Sequence, residues 1–186
     1  MVLTESDSKL SQGDAAPEFS LPGTDGETYT LDSFAEYDAL LVVFTCNHCP
    51  YAQAKFDELN YLARTYDELA VVGINPNDAA EYPDDSFDRM QELVEDGTIQ
   101  YTAYLRDESQ AVAREYGAVC TPDPFLFENV GDDFELRFHS RIDDAMTPDE
   151  EVTDYEMRTA VEAVISGDEI PVSETPSQGC SIKWKD

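Results

Sequence analysis

The sequence predicts an α/β fold in which a central mixed β-sheet is covered by helices, and two observations carry that prediction. The continuous apolar runs "ALLVVFT" and "LAVVGIN" read as strands buried on both faces, and the segment between them repeats its apolar residues at helical spacing. Strand, helix and strand then form a unit with parallel pairing. Farther on, "PFLFE" and "FELRFHSRI" flank the loop "NVGDD", which predicts a hairpin and an antiparallel part of the sheet.

Taken in chain order, residues 1–16 are polar, lack a periodic apolar pattern, and read as a loose arm. In "FSLPGTDGETYTL", Phe19 and Leu21 alternate, Asp25-Gly26 marks a turn, and Tyr29 and Leu31 alternate back as a β-hairpin. From Pro50 to about Tyr66, the residues Ala52, Phe56, Leu59, Ala63 and Tyr66 predict one amphipathic helix. Ser86 caps a helix to about Glu95. "YTAYLRD" is extended, and "SQAVAREYG" is a short helix that Ser109 caps and Gly117 ends. Thr153 to Ile165 is the last helix, ended by Gly167.

Residues 17–166 thus make one domain, and residues 167–186 form an extended tail. That tail holds the only tryptophan, Trp184, together with Lys183, Lys185 and Cys180. An apolar, basic end on a very acidic body is expected to lie back along its own surface.

The 186 residues include 41 Asp plus Glu against 11 Lys plus Arg, for a net charge of −30. With 41% hydrophobic residues the chain can still build a core, so the excess charge lies outside. Such a field repels nucleic-acid phosphates and anionic membranes, which excludes both as partners, and it is what adaptation to high salt produces. The N-terminus lacks the apolar core of a signal peptide, and the longest apolar run, Ala39 to Phe44, is too short to span a bilayer. A cytoplasmic location is therefore expected. In a reducing compartment four cysteines point to catalysis, redox sensing or metal binding rather than a structural disulfide framework.

Two of them lie in "FTCNHCPYAQ", at the junction between a buried strand and a helix. Pro50 suits the first helical position, which puts Cys49 at the cap, with Thr45, Asn47 and His48 around the pair. A helix N-terminus favours a thiolate, lowering a cysteine pKa from about 8.5 to between about 3.5 and 7.5, and a protonated His48 pushes the same way. Once either sulfur is attacked or oxidised, the other is close enough to resolve the product. A second feature, "AVCTPDPFLF", places Thr121-Pro122 just before a strand and invites a cis peptide bond.

From "GDAAPEFSLPGTDGETYTL" through "VVFTCNHCPYA" and "YGAVCTPDPFLF" to "SRIDD", the chain resembles the thioredoxin superfamily, in particular the redoxin branch related to peroxiredoxins of the AhpC/TSA type. The resemblance implies a thioredoxin fold with an added N-terminal hairpin, a Cys46–Cys49 dithiol or disulfide, and a cis-Pro122 loop facing it. It also implies that Thr121 offers its backbone to a bound peptide strand and that Cys120 lies near the active site. Asn47-His48 is similar to the pair between the cysteines of bacterial disulfide oxidases. The departures are Thr45 where thioredoxins carry tryptophan, and the absence of a buried acid from "ALLVVFT". In the peroxiredoxin pattern P-x-x-x-T-x-x-C, Val42 and Cys46 stand where the proline and threonine belong.

The implied activity is thiol–disulfide exchange, without a cofactor, with thiol- or disulfide-bearing proteins and an unidentified reductase. The alternative is a thiol peroxidase acting on peroxides, with Cys49 peroxidatic and Cys46 resolving. A third reading has Cys46, Cys49, Cys120 and Cys180 binding structural zinc. Thioredoxin analogy makes Cys46 the attacking thiol, whereas the proline argument and the peroxiredoxin alignment make it Cys49. Cys180 is either a second resolving thiol or a tail anchor, and Cys120 is expected to be a small buried residue. Arg141 stands for the family's arginine or pairs with Asp143 or Asp144, His139 is a surface or packing residue, and the acids of "NPNDAAEYPDDS" solvate the surface.

Overall fold

A computed structural model describes residues 2–7 and 9–186. The chain begins with strand β1 (Leu3–Glu5), the hairpin β2 (Ser20–Pro22) and β3 (Thr28–Thr30), and β4 (Ala39–Phe44). Helices α1 (Pro50–Gln53) and α2 (Phe56–Thr65) lead to β5 (Leu69–Asn75), α3 (Phe87–Glu95), β6 (Ala103–Arg106) and α4 (Ala111–Tyr116). Then follow β7 (Cys120–Thr121), β8 (Asp123–Asn129), β9 (Phe134–His139), α5 (Glu156–Ser166) and β10 (Gln178–Ser181).

The central sheet has the order β6-β5-β4-β8-β9. β4 runs parallel to β5 and antiparallel to β8, so the sheet is mixed, as the two apolar runs and the hairpin predicted. Alternation explains why β4 is apolar throughout. Leu40, Val42 and Phe44 pack with Val72, Ile74, Phe125 and Phe127 on one face, while Leu41 and Val43 meet Leu59 and Leu62 of α2 and Met157 and Val161 of α5 on the other. At about 1.5–3 kcal/mol for each large side chain buried, this strand anchors both layers of the core.

Several boundaries differ from the sequence reading, each for a local reason. The single helix expected from Pro50 to Tyr66 is broken at Ala54 and Lys55, where the Lys55 N–H bonds the Ala52 carbonyl in a tighter turn. There the Lys55 ammonium turns inward to Asp143 at 2.5 Å and to the Ala145 carbonyl at 2.9 Å. Helix α5 starts at Glu156 rather than Thr153, because the Asp144 carboxylate takes the N–H groups of Thr153 and Asp154 at 2.8 and 3.0 Å.

Ser86 caps α3 as predicted, accepting the Arg89 N–H. At α4 the cap is Gln110 instead of Ser109, in a left-handed conformation (φ 66°). Its side chain is drawn inward to the carbonyls of Pro76 and Lys183, both at 2.8 Å. Gly117 ends α4 at φ 75° as predicted, and Lys9 packs so closely that a side chain would collide with it.

The largest correction concerns the two ends of the chain. Residues 1–16, expected as a loose arm, contribute β1, and the N–H groups of Gly13 and Ala16 bond the carbonyls of Leu136 and Phe134. The tail lies back on the body as expected, but as a strand: β10 sits between β1 and β7 in a second, antiparallel sheet. Ile182 is buried in the core, and Trp184 packs under the Arg114 guanidinium at 4.4 Å.

Candidate active site

Where β4 gives way to α1, the chain carries Thr45-Cys46-Asn47-His48-Cys49-Pro50. Cys49 is the extended cap residue and Pro50 opens the helix, as the sequence implied. Thr45 is buried; its N–H continues the sheet to the Ile74 carbonyl, and its hydroxyl has no partner among the described residues.

Facing this turn is the Thr121-Pro122 peptide bond, which is cis as expected. Thr121 touches both sulfurs: its hydroxyl lies 3.4 Å from Cys46 Sγ, and its carbonyl oxygen 3.8 Å from Cys49 Sγ. Cys120, one residue earlier, is a buried free thiol whose register partner is Ser181. Burial pushes its pKa up.

The bond between the cysteines is not the expected one. Cys49 is joined to Cys180, with Cα atoms 6.4 Å apart across 131 positions of sequence, and Cys46 is a free thiol. The physical reason is register: β10 pairs with β7 so that Cys180 stands opposite Thr121, which brings its sulfur to Cys49. The backbone that the resemblance reserved for a bound peptide thus pairs with the chain's own tail. Both sulfurs of this pair are engaged with each other, which removes the four-thiolate zinc set in this state.

Nor is Cys46 acidic in this state. Burial pushes its pKa up to about 12, the Asp85 carboxylate pushes the same way, and the Thr121 hydroxyl and the N–H groups of Cys49 and His48 only partly oppose them. Helix α1 is a single turn, too short for its end to outweigh desolvation.

Asp85 is the residue that sequence reasoning missed. It lies in the acidic stretch between β5 and α3 that was expected to solvate the surface, yet it is fully buried. Its carboxylate accepts the Asn47 N–H at 2.7 Å and the Asn77 amide at 2.8 Å, and it lies 2.6 Å from His48 Nδ1. That last contact is an electrostatic one, since the ring is turned out of line for a hydrogen bond. The strand before the cysteines lacks a buried acid; the loop after the next strand supplies one.

Asn47 is fixed from three sides. Its amide donates to the Asp84 carbonyl at 3.0 Å, its side-chain oxygen accepts from the Tyr104 hydroxyl at 2.7 Å, and its backbone carbonyl accepts from Gln53 at 2.8 Å. His48 stacks over Tyr82 with ring centres 6.0 Å apart. Together Cys46, His48 and Asp85 place a sulfur, a ring nitrogen and a carboxylate oxygen within 4.8 Å of one another. It is the one cluster of three metal-ligating side chains among the described residues.

The remaining candidates fall elsewhere. Arg141 pairs with neither Asp143 nor Asp144: its guanidinium is held by both oxygens of Glu156, at 2.8 and 2.6 Å. His139 packs flat on Phe125 with centres 4.0 Å apart and bonds the buried Asp123 at 2.6 Å. Burial raises the Asp123 pKa, and His139 opposes that rise. A surface groove of about 670 Å³ between β9 and the end of α5 is lined by none of the cysteines.

Comparison with known proteins agrees with the fold. The sequence pattern of the AhpC/TSA family matches residues 12–146. A crystal structure of a hypothetical protein from Sinorhizobium meliloti 1021 shares 38% identity over 98% of each chain, with a TM-score of 0.90. An uncharacterized conserved protein from Geobacillus kaustophilus shares 36% identity over 100% of this chain and 97% of its own, with a TM-score of 0.91. The thioredoxin domain of a thiol-disulfide oxidoreductase from Bacteroides vulgatus, 19% identical over 71% of this chain and 91% of its own, superposes with a TM-score of 0.53 and shares the fold. No curated protein matches the sequence.

Proposed function

The chain belongs to the AhpC/TSA family, and from that premise we propose that it is a thiol–disulfide oxidoreductase in which Cys49 is exchanged between two partners, Cys46 and Cys180. The fold and family are those of thiol-based oxidoreductases. One observation carries the finer reading: a free thiol and a disulfide meet over a single residue, Thr121, which contacts both Cys46 and Cys49.

The exchange moves one electron pair among the three sulfurs and leaves the oxidation level of the chain unchanged. Cys46, as thiolate, attacks Cys49 Sγ; the Cys46–Cys49 bond forms, the Cys49–Cys180 bond breaks, and the electron pair leaves on Cys180, which takes up a proton. Because burial holds Cys46 as a thiol, a base has to receive its proton first. The His48 imidazole, set against Asp85 and within 4.8 Å of the sulfur, is positioned for that task. This arrangement does the work of the buried acid that the strand lacks. The Cys46–Cys49 disulfide of the sequence reading is then the second state of the cycle, and partner thiols or disulfides exchange at Cys49.

The test is a redox titration of the whole protein in molar KCl, quenched by alkylation, with each disulfide mapped by mass spectrometry. The expected result is a fraction of Cys46–Cys49 beside Cys49–Cys180, in a ratio that the potential leaves unchanged because the two forms are isomers, both lost together on reduction, with Cys46→Ser showing only Cys49–Cys180. Cys46 remaining a free thiol at every potential would overturn the proposal.

The family match and the bonded Cys49 also favour a second reading, peroxide reduction with Cys49 as the sulfenic acid. Against it stand Val42 and Cys46 at the proline and threonine positions, and an Arg141 already engaged by Glu156. Peroxide consumption no faster than by free cysteine removes it.

A further inference from the structure

We infer that the edge of β7 above Cys49 is a docking groove for an extended, cysteine-bearing peptide with glycine immediately before the cysteine and a branched aliphatic residue two positions after it. The inference rests on the exchange chemistry at Cys49 proposed above, and it adds the class of partner.

The tail shows how such a segment sits. β10 runs antiparallel to β7, with Cys180 opposite Thr121 and Ser181 opposite Cys120. The Ile182 N–H bonds the Val119 carbonyl at 2.9 Å, so main-chain pairing continues past the strand. This is recognition by addition of a strand to a sheet edge: the backbone supplies the affinity, and the side-chain positions supply the specificity.

Two of those positions are selective. At Gly179, a Cβ would lie 1.9 Å from the Thr121 carbonyl oxygen and 2.6 Å from its carbonyl carbon. Both are backbone atoms of the loop that contacts the reacting sulfurs, so neither can move without disturbing the site. Any residue but glycine is excluded at this register. At Ile182 the side chain is 3% exposed and joins the core cluster with Leu105, Ala113 and Ala118. A charged side chain there would be desolvated without a partner. By contrast, Gln178 and Ser181 are only partly buried and leave their positions permissive.

The remainder of the tail is held separately. The backbone of Lys183 bonds the side chain of Asn77 and the N–H of Asp78, each at 2.9 Å, and the N–H of Lys185 bonds Gln110 at 2.9 Å. The tail therefore occupies the groove as a tethered member of its own partner class. A partner displaces residues 178–182 when it takes Cys49.

The test uses the full-length Cys46→Ser/Gly179→Ala/Cys180→Ser chain, whose tail can neither seat nor bond and whose Cys49 cannot be resolved by Cys46. The probes are three synthetic peptides with the sequence of residues 178–185, their cysteine activated as a 2-thiopyridyl disulfide: the native sequence, the Gly179→Ala version and the Ile182→Asp version. Attack by Cys49 forms the Cys49–peptide disulfide and releases 2-thiopyridone, whose appearance gives the rate; peptide mapping locates the adduct.

The native peptide is expected to be captured about tenfold or more faster than either altered one, the factor that corresponds to ~1.4 kcal/mol of lost docking. Equal capture of all three, while 2,2′-dithiodipyridine reacts readily at Cys49, overturns the groove and leaves the exchange chemistry standing. Failure of Cys49 to react even with that small reagent overturns both. The Cys46→Ser/Cys180→Ser chain, with Gly179 retained, serves as a second host: its unbonded tail competes with all three peptides and preserves the ratio of their rates.

Discussion

Cys46 shows how two opposed effects on one thiol are decided by burial. The Thr121 hydroxyl and nearby N–H groups favour its charge, but desolvation and the Asp85 carboxylate outweigh them and move the pKa from 9.0 to about 12. A group whose pKa is higher in the folded than in the unfolded chain binds its proton more tightly when folded. Its contribution to stability is full below the unfolded value near 9 and is lost as pH rises through about 12. Thermal melts of the Cys49–Cys180 form are therefore expected to fall more steeply over that window than those of Cys46→Ser, which lacks the thiol. Superimposable pH profiles would show that Cys46 is not desolvated. In the exchange proposed above, the same burial leaves the Cys46 proton to be taken by His48.

At the scale of elements, the break between α1 and α2 is tied to a buried ion pair. Lys55 reaches Asp143 and the Ala145 carbonyl, and Asp143 also accepts the Ala145 N–H at 3.1 Å, so one lysine joins the helix region to the loop after β9. Both side chains are almost wholly out of water. Removing one partner of such a pair leaves a buried charge alone, at a cost of about 3–5 kcal/mol. Lys55→Met is accordingly expected to lower the unfolding free energy by that amount, read as a fall in the urea midpoint at an unchanged m-value, and Lys55→Met/Asp143→Leu to recover most of the loss. A midpoint within error of the parent for Lys55→Met would show that the pair contributes nothing. Periodicity foretold the buried face of this region, since Ala52, Phe56 and Leu59 are all buried as spaced, but the turn between them follows from a lysine that is drawn inward.

For the molecule as a whole, a charge of −30 on 186 residues opposes the compact state. Many of the few cations are already paired: Arg158 grips Glu58 with two nitrogens, Arg141 grips Glu156, and Arg106 and Lys185 share Glu108. The excess acids are left to be screened by solvent ions. We propose that the chain is adapted to high salt, and its melting temperature is expected to rise from low to molar KCl, as the screening length contracts from about 10 Å at 0.1 M to about 3 Å at 1 M. A melting temperature independent of salt refutes the proposal. The two chain ends belong to this scale as well. β1 pairs with β10 and β10 with β7, so the segment that carries Cys180 is held against Cys49 by the sheet that both ends of the chain build.

By itself the sequence determined the buried β4 and β5 with their connecting helical region, the hairpin of β8 and β9, the cap at Cys49, and the placement of two cysteines at a strand-to-helix junction. These are legible because side-chain periodicity and the restricted backbone of proline are properties of neighbouring residues. The cis bond before Pro122 was legible only from the Thr-Pro pair taken together with Cys46 and Cys49. What the tertiary structure alone decided is which distant groups meet: Cys180 rather than Cys46 on Cys49, Asp85 rather than its acidic neighbours beside His48, and Glu156 rather than Asp143 or Asp144 on Arg141. In each case several residues of the same chemistry were available. The choice among them was made by sheet register and loop path, which bring together atoms far apart in the chain and have no local signature.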